Sequence, residues 1–145
     1  MGNLCCGPRK ENYKKTMLNY KDLRATYDIE KGVLGKGSFG TVYKASNKKN
    51  KEQKLAIKAI DKKMLSPEEI EKIHEEVQLL NKVDHANIVN YYETYEDHRF
   101  VYLCMELCTG GELIENFMSS KAEFDEKRAS EIIYSLLSAL SHIHS

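Results

Sequence analysis

No stretch of the 145 residues stays apolar long enough to cross a bilayer, which takes about 20 consecutive residues. Neither sign of charge prevails, since 22 Lys and Arg face 22 Asp and Glu, so the whole chain has no bulk attraction for nucleic acid. The four cysteines, Cys5, Cys6, Cys104 and Cys108, form no C-x-x-C pair, have no histidines at zinc-finger spacing and follow no secretory h-region. A reduced, intracellular protein is the expectation. His142 and His144 make an H-x-H pair, but two residues apart on a helix point well away from each other, so no metal site is expected. No D-x-[DN]-x-[DN]-G loop occurs, which leaves calcium without an EF-hand in these residues. Repeats and low-complexity tracts are lacking too.

What is present falls into a basic arm followed by alternating elements. Residues 1–24 carry Arg9, Lys10, Lys14, Lys15, Lys21 and Arg24 against Glu11 and Asp22; without apolar periodicity they read as flexible. From Tyr27 the runs YDIEKGVLG, TVYKAS and KLAIKAI predict strands, with the polar NKKNKEQ joining two of them. Ser66, Pro67 and Glu69 form a helix start with capping box, and Ile70, Ile73, Val77 and Leu80 continue an apolar stripe at helical spacing. NIVNYYETYE and RFVYLCMEL flank Glu96-Asp97-His98 as a hairpin. TGGE ends that pattern, and a short helix is expected through Met118. Asp125 caps a last helix with apolar Ala129, Ile132, Ile133, Leu136, Leu137, Leu140 and Ile143.

The stretch LGKGSFGTVYKA places Gly35, Gly37 and Gly40 within six residues. A dinucleotide-binding turn would open a helix at this point, whereas TVYKAS reads as a strand. A Walker loop would put Lys and then Ser or Thr after Gly40, where Thr41 and Val42 stand. Two readings stay open: a tight bulged β-turn, or a glycine flap whose bare amides approach a nucleotide's phosphates. The flap requires a cation on a neighbouring strand and an acid to hold it. Lys58, set among Leu55, Ile57, Ala59 and Ile60, is such a cation, although most strand lysines face solvent. At about 100° per residue, Glu76 borders the helix stripe and can reach inward, whereas Glu75 points nearly opposite; a charge merely bordering a core face is the plainer alternative.

LGKGSFGTV, LAIK, Glu76 in EEVQLL, HANIV and MELCTGGEL together resemble successive motifs of the eukaryotic protein kinase amino-terminal lobe, over about residues 27–145. MELCTGGEL and the Met-Gly-Asn-Leu-Cys-Cys start look most like calcium-dependent protein kinases. The resemblance implies an α+β fold: a five-stranded antiparallel sheet plus one regulatory helix over 27–111, then the first helices of an incomplete helical lobe over 112–145, behind an arm over 1–26. It implies a Ser/Thr kinase that moves the γ-phosphoryl of ATP to protein hydroxyls. Gly35, Lys36, Gly37, Ser38, Phe39 and Gly40 would cover the phosphates. Leu34, Val42 and Ala56 would sandwich the adenine, Lys58 would hold the α- and β-phosphates, and Glu76 would fix Lys58. Met105 would line the back of the pocket, the backbone from Glu106 to Cys108 would meet the adenine edge, and Glu112 would approach the ribose or a basic substrate residue.

The family's catalytic loop, with its base Asp and Mg²⁺-binding Asn, and its Asp-Phe-Gly are expected beyond Ser145. The 145 residues would then be a fragment, inactive alone, with metal ligands elsewhere and the apolar face of its last helix uncovered. The alternative is a membrane-tethered, ATP-binding, pseudokinase-like module without catalysis. Gly2 fits N-myristoylation except that Cys6 stands where Ser or Thr is preferred, and Cys5 and Cys6 are placed for palmitoylation. Partners expected are ATP, protein substrates and a membrane surface, with no nucleic acid. The expected location is the cytoplasm, peripheral on a membrane face.

Overall fold

In a computed structural model describing residues 23–38, 40–115 and 125–145, the alternating runs pair into a five-stranded antiparallel sheet ordered β1-β2-β3-β5-β4. A short helix α1 (Leu23–Thr26) leads into β1 (Tyr27–Gly37), β2 (Gly40–Asn47) and β3 (Lys54–Asp61). A 3-10 turn (Lys62–Met64) and helix α2 (Pro67–Leu80) precede β4 (Tyr91–Glu96) and β5 (Phe100–Glu106). Residues 113–115 are helical, the remainder of the helix expected through Met118 lies outside the described residues, and α3 spans Glu126–Ile143.

The central strands are buried on both faces, which explains the unbroken apolar text of LAIKAI. Leu55 and Ile57 join Tyr27, Ala45, Tyr92, Tyr95 and Cys104 in one cluster. Ile60 joins Tyr91, Val101 and Leu103 in another, against Ile73, Val77 and Leu80 of α2. Strand alternation separates the two sets. Burial pushes the Cys104 thiol well above its ordinary range and Tyr91 up to about 12, so both stay neutral. The Tyr91 hydroxyl shares a 2.5 Å hydrogen bond with fully buried Thr94.

Residues 1–26 were expected to be a flexible arm. Leu23 is instead helical and only 6% exposed, and it belongs to the cluster of Leu55 and Ile57 with Tyr27 and Tyr95. A single apolar residue without periodic neighbours gives no helical signal, so packing alone sets this boundary; residues 1–22 lie outside the described residues.

Helix α2 starts as its capping box dictates. Glu69 N–H donates to Ser66 Oγ at 3.3 Å, and Ser66 N–H donates to Glu69 Oε2 at 2.7 Å. Asp125 caps α3 by accepting from Arg128 N–H at 2.7 Å. Helix α3 meets the segment before β4 through polar contacts: His85 Nε2 lies 3.1 Å from Ser138 Oγ, and Asn87 Nδ2 donates to the Ser135 carbonyl at 3.3 Å. His142, one of the paired histidines, sets its ring 5.1 Å from that of His85. Ile133, Leu136, Leu137, Leu140 and Ile143 remain exposed, the uncovered face expected from the sequence.

The cap provides a stability test. Replacing Ser66→Ala is expected to lower unfolding free energy by about 1 kcal/mol in urea denaturation at neutral pH. The Ser66 backbone N–H holds the Glu69 carboxyl below its ordinary 4.5. Its contribution is therefore complete above that value and lost as pH falls through the lowered one, in parent and variant alike, because the substitution keeps the backbone N–H and removes only the Oγ that accepts from Glu69 N–H. The difference between the two proteins should persist in acid.

Candidate functional site

Antiparallel register places the candidate residues in rows across one sheet face. Val42 of β2 pairs with Lys58 of β3, which pairs with Leu103 of β5. The next row holds Lys44, Ala56 and Met105. Because Ile60 lies two residues from Lys58 and packs with α2, alternation puts Lys58 and Ala56 on the α2 face. Ala56 is buried, while Val42, Lys58 and Met105 are half-buried. Leu34 is exposed beside the β1 irregularity between Val33 and Gly35.

The hairpin closing this face has three glycines with unlike surroundings. Gly40 packs on β3 so closely that a Cβ would collide with the Ala59 carbonyl oxygen and lie 3.3 Å from Ile60 Cα. Gly37, paired with Gly40, would place a Cβ in ordinary contact at 3.9 Å. Gly35 has no heavy atom of a described residue within 4 Å of where a Cβ would stand. None of the three has a positive φ; among the described residues only Gly111 does, at 72°. Internal packing thus accounts for Gly40, whereas neither packing against described residues nor backbone conformation accounts for Gly35, whose face is open to something outside them. Lys36 pairs with Thr41, Ser38 occupies the turn, and Phe39 lies outside the described residues.

Glu76 is not brought to Lys58. It lies exposed on α2, and no ion pair joins it to Lys58 among the described residues. The buried Val77, 1% exposed, points α2 at the sheet and leaves Glu76 at the rim, where a carboxylate keeps its hydration. A different acid holds the helix. Glu96 at the end of β4 accepts from Lys62 Nζ at 2.9 Å and lies 3.0 Å from His74 Nε2, joining the β3–α2 connection, α2 and β4. The sequence showed Glu96 only as one member of a polar hairpin turn.

At the far end of β5, Glu106 turns its side chain inward, 5% exposed. Its Oε2 accepts from Asn90 N–H at 3.2 Å and from Asn90 Nδ2 at 2.8 Å, and its own N–H donates to the Asn90 carbonyl at 2.8 Å. Asn90 was not singled out from the sequence; only its place directly before the Tyr91 strand could have drawn attention to it. Cys108 and Glu112 are exposed past this point, and left-handed Gly111 turns the chain between them.

A cavity of about 830 Å³ opens on the opposite sheet face, between α1 and the β4–β5 turn, lined by Tyr27, Tyr43, Ile57, Tyr95 and Tyr102. It includes none of the candidate residues.

A lysine on the third strand beneath a glycine hairpin, with one helix and a hinge-like exit from the fifth, is the architecture of a protein kinase amino-terminal lobe. The family model described as Protein kinase domain matches residues 29–145, and the chain belongs to that family. It is 43% identical over 129 residues to Calcium-dependent protein kinase 5 of Plasmodium berghei (strain Anka), covering 89% of this chain and 22% of that protein. It is also 43% identical over 122 residues to Calcium/calmodulin-dependent protein kinase type 1 of Caenorhabditis briggsae, covering 84% and 33%. The solved twitchin kinase region from C. elegans shares the fold with a TM-score of 0.78 at 24% identity, over 88% of this chain and 22% of that one. The chain thus spans about a fifth to a third of the length of these relatives.

The glycines supply a contrast. Gly35→Ala is expected to keep or raise stability by up to about 1 kcal/mol, because it narrows the unfolded ensemble at a compatible backbone. Gly40→Ala forces β2 off β3 and should cost about 1–3 kcal/mol. Thermal denaturation of both variants checks this; equal losses would contradict the separation of roles.

Proposed function

We propose that this chain is the ATP-gripping part of a Ser/Thr protein kinase of the calcium-dependent type. The observation that carries the reading is the pairing of Lys58 with Val42 directly behind a glycine hairpin whose Gly35 faces open space. A triphosphate entering there meets backbone amides from one side and an ammonium from the other. The ammonium is a compact charge on a flexible stem, suited to following phosphate oxygens. Val42 and Ala56, with Leu34, give the adenine apolar surfaces. The Asn90–Glu106 hydrogen bonds occupy the Glu106 side chain and steady the backbone that meets the adenine edge, while Met105 closes the back of the pocket and Glu112 stands toward the ribose.

Glu76 joins Lys58 when α2 moves inward, and this pairing sets the lysine for transfer. Mg²⁺ neutralises charge on the phosphates in this family, yet no three His, Cys, Asp or Glu side chains gather among the described residues. This chain's contribution is grip and orientation. Gly2, Cys5 and Cys6 tether the arm to a cytoplasmic membrane face, since one acyl chain binds marginally and two with nearby lysines bind firmly.

Three measurements test these proposals. The 145-residue chain should transfer no phosphate to peptide substrates, and measurable transfer would refute the division of labour. In a longer kinase bearing these residues, Lys58→Met should cut turnover at least about 100-fold with an unchanged melting temperature, because a phosphate contact made in the transition state is lost. In cells, Gly2→Ala should release the protein from membranes; equal partitioning would remove the acylation proposal and leave the nucleotide site untouched.

A further inference from the structure

The β2–β3 turn is held rigidly against the root of the amino-terminal arm. Lys48 N–H donates to the Thr26 carbonyl at 3.0 Å, Lys48 Nζ donates to the Arg24 carbonyl at 2.5 Å, and the same ammonium lies 3.6 Å from Asp28. The turn is braced internally as well. Asn47 N–H donates to the Gln53 carbonyl at 3.1 Å, and the Asn47 and Asn50 side chains accept from Lys49 and Glu52 N–H at 2.9 and 3.2 Å. With Lys48 used to fix the turn to α1, Lys49, Lys51 and Lys54 remain exposed and make no ion pair with a described residue. Glu52 is the sole carboxylate in the turn.

We propose that Lys49, Lys51 and Lys54 form a docking surface for an anionic membrane, placed by the fold beside the point where the basic arm enters. The inference rests on the membrane-tether reading above and deepens it. A bilayer-bound arm ending at Leu23 brings this corner of the sheet to the lipid, and the turn presents like-signed charges there. The other candidate occupant, an acidic polypeptide, is disfavoured because Arg9, Lys10, Lys14, Lys15 and Lys21 continue the same sign along the arm, an extended electrostatic footprint that suits a surface better than a short ligand. The turn lies at the end of the sheet away from the Gly37–Gly40 hairpin, so docking leaves the nucleotide side unobstructed.

The test uses the 145-residue chain made without acyl groups, so failure of the acylation proposal cannot enter the result. Its partitioning is measured on phosphatidylcholine vesicles with and without phosphatidylserine. Each basic residue at an anionic surface contributes roughly fivefold, so the charge-reversed Lys49→Glu/Lys51→Glu/Lys54→Glu chain should bind phosphatidylserine vesicles at least tenfold more weakly. The equally charged control Lys72→Glu/Lys82→Glu/Lys127→Glu, on α2, its exit and α3, should stay within about threefold of the parent. The Lys→Gln triple at the turn, checked by circular dichroism, repeats the experiment if the reversal impairs folding. Unchanged binding of the turn variants, an equal loss in the control, or an equal loss of binding to polyglutamate would each overturn the proposal.

Discussion

Close contact between β2 and β3 at Gly40 is the constraint from which the rest of this face follows. With no side chain at Gly40, its backbone lies against the Ala59 carbonyl, and the ladder runs from Gly40↔Ile60 to Ser46↔Lys54 without a bulge. That uninterrupted pairing fixes Lys58 opposite Val42 and hands the same register to β5 through Leu103. A slip of one residue would turn Lys58 to the other face and Ile57 away from its core. The core residues that resist such a slip, Leu55 and Ile57, are fully buried. Positioning of the cation is therefore a by-product of core packing, and the breaks in pairing fall on the edge strands, two in β1 between Ile29 and Gly35 and one in β4 between Tyr91 and Glu93. Strict register behind and a looser strand in front suit a site that holds a charge still while a flap adjusts over it.

Helix α2 is attached differently from the strands. One apolar stripe and the Glu96 hub hold it, with His74 and Lys62 reaching the same carboxylate. Apolar contact tolerates sliding and rotation, whereas the hub pins one border of the helix. Glu76, on the exposed border, is left to make or break its own contact. A helix secured along one edge leaves room for the inward movement that the proposed Glu76–Lys58 pairing requires.

Much of this architecture was legible in the text. Ser66, Pro67 and Glu69 announced the start of α2, Asp125 the start of α3, and apolar, β-branched and aromatic runs the five strands. Those signals are local, and local chemistry decides caps and strand type. What escaped is set by contacts distant in sequence. Leu23 joins the core through Tyr27 and Tyr95, and a lone leucine carries no sign of that. Asn90 and Glu106 meet because β4 and β5 are neighbours, a partnership no single strand displays. The helical wheel brought Glu76 to the rim of the stripe but could not tell inward from outward, since both orientations keep Val77 buried.

Adenine nucleotide is proposed to bind the α2 face of the sheet, between the glycine hairpin and Lys58. Titrating a non-hydrolysable ATP analogue into isotope-labelled chain and following backbone amide shifts tests it most directly. The expected result is a saturable set of shifts at Gly35, Val42, Ala56, Lys58 and Cys108, with Tyr27, Tyr43 and Tyr95 across the sheet unmoved. Shifts centred on those tyrosines, or none at saturating nucleotide, would contradict it.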